Sequence, residues 1–144
     1  MSVTLHLGVL DIPHPGGGKS QLTTGDLADI LESKYGLYSN FVEANAEQIA
    51  DAISDSLSDA IDNMLSGAPV PENPFLDAEQ EIAAGFVTYL DTEEIAKLGV
   101  PGTPTEAALK GVNHRLKINR GPRRPSFINT GVLRDATTAW TEQT

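Results

Sequence analysis

The residues whose type and spacing could do chemistry are few: three histidines, one glycine-rich turn and one dense run of cations. His6, His14 and His114 stand far apart, and no pair has the spacing of metal ligands. His14 beside Asp11 is the nearest acid–base pair, but no nucleophile lies close to it in sequence. Gly16-Gly17-Gly18-Lys19-Ser20 ends like a phosphate-binding loop. The full motif needs a glycine five residues before its last one, and Pro13 occupies that place. Thr24-Gly25 also interrupts any long helix that would start at Lys19, so the segment reads as a flexible glycine loop. No catalytic residue, metal ligand or cofactor is predicted, and the chain is expected not to be an enzyme.

The cations carry more weight. Lys110, Arg115, Lys117, Arg120, Arg123 and Arg124 fall within 15 residues, and no acid occurs between Lys110 and Arg134. Up to Leu109 the chain has three basic and 18 acidic residues; from Lys110 onward it has seven basic and two acidic. Such a run repels itself unless something negative covers it. The cover is either nucleic acid phosphate or the acidic surface of a neighbouring copy, which gives head-to-tail contacts able to close into a ring. Phe127 and Trp140 follow the basic run; each either packs in the core or anchors an interface, where tryptophan is enriched. The candidate interface residues are therefore Lys110, Arg115, Lys117, Arg120, Arg123, Arg124, Phe127 and Trp140. The aspartates at 51, 55, 59 and 62 read as a solvated acidic helix face rather than a cation site.

The elements that must position these residues follow from periodicity and punctuation. Alternation from Val3 to Ile12, with Val3, Leu5, Leu7 and Val9 on one face, predicts a strand. Thr23 with Asp26 forms a capping-box pattern before Leu27, Ile30 and Leu31, and Gly36 stands where a C-terminal glycine belongs. Leu37 to Val42 reads as a short, extended link. Ile49, Ile53, Leu57, Ile61 and Leu65 recur every fourth residue, backed by Ala46, Ala50, Ala60 and Met64. They predict an amphipathic helix over Glu43–Leu65, roughly six turns long, that serves as scaffold for the sheet. A second helix is expected over Ala78–Leu90 with Ile82, Phe86 and Leu90 on one side. A short one after a capping box at Asp91–Glu94 closes at Gly99, and another runs from Pro104 towards Leu116 with Thr103 as its cap. Val132 to Trp140 reads as a last strand or a short helix.

These elements describe an α+β domain spanning residues 1–144, a small mixed or antiparallel sheet against one long amphipathic helix and shorter helices. The basic loop covers 110–125 and the C-terminal segment 126–144. With 144 residues the chain is long enough for one core without disulfides, and it has no cysteine. The low aromatic share of 6% predicts a thin core. Met1 to Leu10 lacks a basic start and an apolar stretch of secretory length, and no run approaches the ~20 apolar residues that cross a bilayer; the chain is expected to be soluble, without a membrane partner.

The run Pro104–Lys117, PTEAALKGVNHRLK, followed by Arg124–Gly131, RPSFINTG, resembles small virion proteins of contractile-tailed bacteriophages, usually described as structural, neck or tail proteins. The resemblance covers the C-terminal third well and the helical middle loosely. In some tail-completion proteins a comparable segment closes an α/β domain that forms a ring. Those proteins usually carry an aromatic or polar residue and a second phenylalanine between the Thr-Gly turn and the tryptophan; Val132 and Ala136–Ala139 stand there in this chain. The resemblance implies a subunit of a neck or tail ring, in head-to-tail joining or tail completion, acting with copies of itself and other neck or tail proteins. It also implies assembly in the host cytoplasm and residence in the virion. The alternatives are a baseplate or tail-tube-associated component and, from another class, a DNA-binding accessory protein using the basic loop.

Overall fold

The computed structural model of the chain describes residues 2–13, 22–111, 121–127 and 131–144. Their order is β1 (Val3–Val9), α1 (Thr24–Tyr35), α2 (Leu37–Ala44), α3 (Ala46–Ser66), α4 (Leu76–Asp91), α5 (Glu94–Lys97), α6 (Glu106–Lys110), α7 (Val132–Asp135) and β2 (Thr137–Gln143). Among the described residues the sheet is a two-stranded antiparallel ribbon in which Val3 faces Gln143 and Val9 faces Thr137. The fold is α+β. The ribbon lies chiefly along α4, with α1 against β1; the longer α3 packs on α4, so the sheet's scaffold is α4 and not the long helix that the sequence suggests.

Local chemistry explains the start of the helical layer. Thr23 accepts from the Asp26 amide while Asp26 accepts from the Thr23 amide, the reciprocal cap expected from sequence. Thr24 is fully buried, and its hydroxyl and amide bond the carbonyls of Leu10 and Ile12. Gly36, at φ +62°, ends α1 and starts α2 at once. Leu37–Val42 is accordingly helical rather than extended: the chain leaves one helix and enters the next at a single left-handed glycine, and Leu37 and Phe41, one turn apart, are buried. The predicted helix over Glu43–Leu65 is likewise divided, because α2 continues to Ala44 and a non-helical Asn45 separates it from α3.

The core is a cluster of rings. Phe86, fully buried, stacks on Tyr38 (centroids 4.8 Å apart, 11° between planes) and meets Phe41 edge-on at 5.3 Å; Phe41 also meets Tyr89 edge-on at 5.2 Å. Such pairs contribute about 0.5–1.5 kcal/mol each beyond area burial. Burial, reinforced by nearby carboxylates, pushes both tyrosine hydroxyls up to about 12: Glu32 and Asp29 act on Tyr38, Glu94 and Glu32 on Tyr89.

Several predicted ends shift, each for a visible reason. β1 stops at Val9, and Leu10 and Ile12 instead supply the carbonyls bound by Thr24. α4 begins at Leu76 and runs through Asp91, so Asp91 is not an N-cap; its carboxylate takes a bidentate contact from Arg134 at 2.7 and 2.8 Å. That hydrogen-bonded guanidinium holds the Asp91 carboxyl below its ordinary range. Thr103 cannot cap the next helix because its hydroxyl donates to the Val100 carbonyl at 2.6 Å; Thr105 caps it, accepting from the Ala108 amide. That helix ends at Lys110 rather than near Leu116. Gly111 (φ +64°) leaves it, and a Cβ there would run into the Gly121 carbonyl. The last segment contains both alternatives, α7 and then β2.

Two glutamates fasten the C-terminal third. Glu79, 7% exposed, accepts from the amide and hydroxyl of Thr141 on β2 at 2.8 and 2.7 Å and from Asn73 Nδ2 at 2.9 Å. Glu93, after α4, accepts from the amide and hydroxyl of Ser126 and from Arg123. Removing a buried acceptor leaves its donors unpaired, at about 1–3 kcal/mol. Glu79→Ala is therefore expected to lower denaturant-measured stability by that amount, with Glu79→Gln, which keeps one acceptor oxygen, losing less. Phe86→Ala should cost about 3–5 kcal/mol.

Candidate functional site

At roughly 100° per residue, α3 divides into three arcs. The buried arc carries Ala52, Ser56 and Ala60, with Ile49 and Ile53 packed alongside. These small residues let α4 come close, and Ser56 Oγ accepts the Ala78 amide at 3.2 Å. That bond satisfies one of the orphan N–H groups of α4, whose own N-cap residue, Phe75, has no side-chain acceptor.

The second arc carries Leu57, Ile61, Met64 and Leu65, exposed at 46%, 47%, 66% and 81%. Periodicity alone makes these large residues the continuation of the core stripe, yet in the C-terminal half of α3 they point away from the domain. The stripe had two faces from which to choose, and the closeness of α4 selected the small one. The third arc carries Asp51, Asp55, Asp59 and Asp62, all exposed, as the sequence reading expected of a solvated acidic face. α3 holds no basic residue. Beside its C-terminal half lies a cleft of about 370 Å³ with Asp59, Asp62 and Asp77 on its wall.

The basic run is placed in part. Lys110 pairs with Glu106 at 3.8 Å, Arg123 with Glu93 at 2.9 Å, and Arg124 donates to the Ala107 carbonyl at 3.0 Å. The Gly121 amide bonds the Lys110 carbonyl at 3.1 Å and the Arg124 amide bonds that of Ala108, so the residues flanking 112–120 are held side by side. Arg115, Lys117 and Arg120, and the histidines at 14 and 114, lie outside the described residues, as does Gly16-Gly17-Gly18-Lys19-Ser20.

Phe127 is half-buried with φ +69° and packs against Tyr35 at 4.9 Å, joining the domain's own core. Trp140 lies on the outer face of the ribbon, 43% exposed, stacked on His6 at 5.2 Å; His6 in turn contacts Glu142 at 3.2 Å. The structure thus separates the candidate residues: three described cations around α6, Phe127 in the core, and Trp140 on the ribbon. The surface missed by sequence is the outward stripe of α3, whose signal was the run of alanine and serine on the neighbouring arc.

No helix among the described residues is long and apolar enough to cross a membrane. Comparison of the chain with protein-family models, curated proteins and solved structures gives no match.

The assignment of arcs is open to a direct test. Ala60→Leu should overpack the α3–α4 contact and cost about 1–3 kcal/mol, whereas Ile61→Glu and Leu65→Glu should each stay within about 0.5 kcal/mol of the parent. Chemical denaturation of the three variants reads the difference; the reverse ranking would place the core on the large-residue arc.

Proposed function

We propose that the chain is a structural subunit of a phage particle, a component of a neck or tail ring in head-to-tail joining or tail completion, working by association with copies of itself. The observation that carries association is the outward stripe of α3. Four large apolar side chains in one row on a stable helix are the kind of surface that a partner covers, and the aspartate arc beside them selects a partner of positive charge. The basic segment 110–124 of a neighbouring copy has that charge, and joining it to α3 is heterologous, the geometry from which rings are built. The virion setting is supported by the resemblance of PTEAALKGVNHRLK and RPSFINTG to phage neck and tail proteins. It carries with it assembly in the host cytoplasm and contacts with other neck or tail proteins. A baseplate position is the nearest alternative within the same particle.

Light scattering at low and high salt tests the reading on the wild-type chain, on an Ile61→Glu/Leu65→Glu variant and on a Lys110→Glu/Arg123→Glu/Arg124→Glu variant. Discrete oligomers larger than a dimer at low salt, which break down at high salt and are lost in both variants, are expected. Monomers at every salt concentration overturn self-association. Steeply salt-dependent retention on duplex DNA by such a monomer would transfer the basic segment to nucleic acid binding.

A further inference from the structure

The ribbon has two outer edges, and they are treated differently. Ser2 and Thr144 exchange both backbone hydrogen bonds, at 2.9 and 3.0 Å, and the Leu10 amide bonds the Ala136 carbonyl at 2.8 Å. With the register of the ribbon, these bonds fix the parity of the ladder: even-numbered residues of β1 bond β2, and the amides and carbonyls of Val3, Leu5, Leu7 and Val9 point outward. By the same parity Thr141 points outward from β2, and its amide is taken by Glu79. The β2 edge is thereby blocked at its middle. On β1 the outward groups of Leu5, Leu7 and Val9 have no hydrogen-bond partner among the described residues.

We infer that this open edge pairs with β1 of a second copy, giving an antiparallel four-stranded sheet β2–β1–β1′–β2′ about a two-fold axis at His6.

The strand is its own complement. An antiparallel arrangement centred on His6 sets Val3 against Val9′ and Leu5 against Leu7′, so every outward amide and carbonyl of the seven-residue strand meets one of its twin. The side chains at these positions lie on the ribbon face that packs on the core, where Leu5, Leu7 and Val9 are already half-buried, and the apolar row would continue unbroken across the axis. Val3–Val9, VTLHLGV, contains no proline, lysine or carboxylate, the residues by which exposed edges are ordinarily guarded. Beside the Leu7–Val9 half of the edge a groove of about 510 Å³ separates the strand from α1. The groove is rich in acid, but Asp11, Asp26 and Glu32 already accept the amides of Gly25, Thr23 and Tyr38. Three of the four carboxylates thus have a structural task, Asp29 being the fourth, and the strand that the open backbone groups call for can be β1 itself. The contact is isologous and uses neither α3 nor the basic segment, so it stands or falls separately from the ring contact proposed above.

Cysteine trapping tests it cleanly, because the natural chain has no cysteine. In the two-fold arrangement His6 faces His6′ in a non-hydrogen-bonded pair, whose Cα spacing of about 4.5 Å lies within the roughly 4.4–6.8 Å range of disulfides. Thr4 faces Gly8′ rather than itself. Under mild oxidation His6→Cys should give a disulfide-linked dimer, Thr4→Cys alone and Gly8→Cys alone should not, and an equal mixture of the last two should give the mixed dimer. Circular dichroism of each reduced variant checks that the domain is intact; these side chains lie on the ribbon face away from the core. Amide exchange on the wild-type chain should show Leu5 and Leu7 becoming protected as concentration rises, while Thr4 and His6 are protected throughout. A His6→Cys chain that folds and stays monomeric overturns the inference, and so does cross-linking that is equally fast at positions 4, 6 and 8.

Discussion

The carboxylate of Glu79 is the point on which the rest of the arrangement turns. A buried carboxylate is costly unless it is fully hydrogen-bonded, and this one is satisfied from three sides: the amide and hydroxyl of Thr141, and the amide of the Asn73 side chain. Its place in the first turn of α4 adds a favourable interaction with the helix dipole. Because those partners come from β2 and from the turn before α4, the charge is stable only when ribbon, turn and helix are assembled together. It therefore couples the last strand to the middle of the chain more strictly than apolar contact would, since apolar surfaces tolerate sliding and a three-point hydrogen-bond set does not. Glu93 repeats the device after α4, taking the Ser126 amide and hydroxyl together with Arg123.

With the C-terminal third fastened by polar clamps, the apolar core can remain small. It consists of a ring cluster around Phe86 and short side chains between α3 and α4. Packing of α3 through Ala52, Ser56 and Ala60, with Ile49 and Ile53 beside them, has a geometric consequence: the large residues of its C-terminal half cannot also face inward, because their arc lies about a third of a turn away. The stripe of Leu57, Ile61, Met64 and Leu65 is thus a direct product of which arc of α3 packs on α4.

What could be read from the sequence divides along the range of the interaction. The Thr23–Asp26 capping box and the glycines at 36 and 67 act within a few residues, and they are where spacing predicts them. The α+β class follows from strand-like alternation at Val3–Val9 and helical periodicity from Ala46 onward. The buried face of α3 was not legible, because two neighbouring arcs both satisfy a helical period and only the tertiary partner chooses between them. The pattern points to Thr103 as the cap; its hydroxyl is taken by the Val100 carbonyl in the preceding turn, and Thr105 caps instead. Least legible are Glu79 and Glu93, whose partners lie 62 and 33 residues away. In sequence each is one more acid in an acidic stretch.

The charge asymmetry of the chain gains a different meaning from this geometry. Read along the sequence, the cations from Lys110 onward form an uncompensated block. In the fold, Lys110 and Arg123 contact Glu106 and Glu93, and Arg134 contacts Asp91 and Asp135. Exposed pairs of this kind contribute little to stability, about 0–1 kcal/mol each, but they orient the guanidinium groups and lower the cost of gathering like charges around α6. The acids of α3 have no such compensation on their own helix, since Ala46–Ser66 contains no cation. Part of the imbalance that remains lies on α3, beside the stripe that its packing leaves bare. A partner that is apolar along its centre and basic along its flank would answer both features of this helix at once. That coincidence gives the proposed association surface its direction, because antiparallel pairing of α3 with α3 about a two-fold axis would bury the apolar stripes only by bringing two aspartate arcs together.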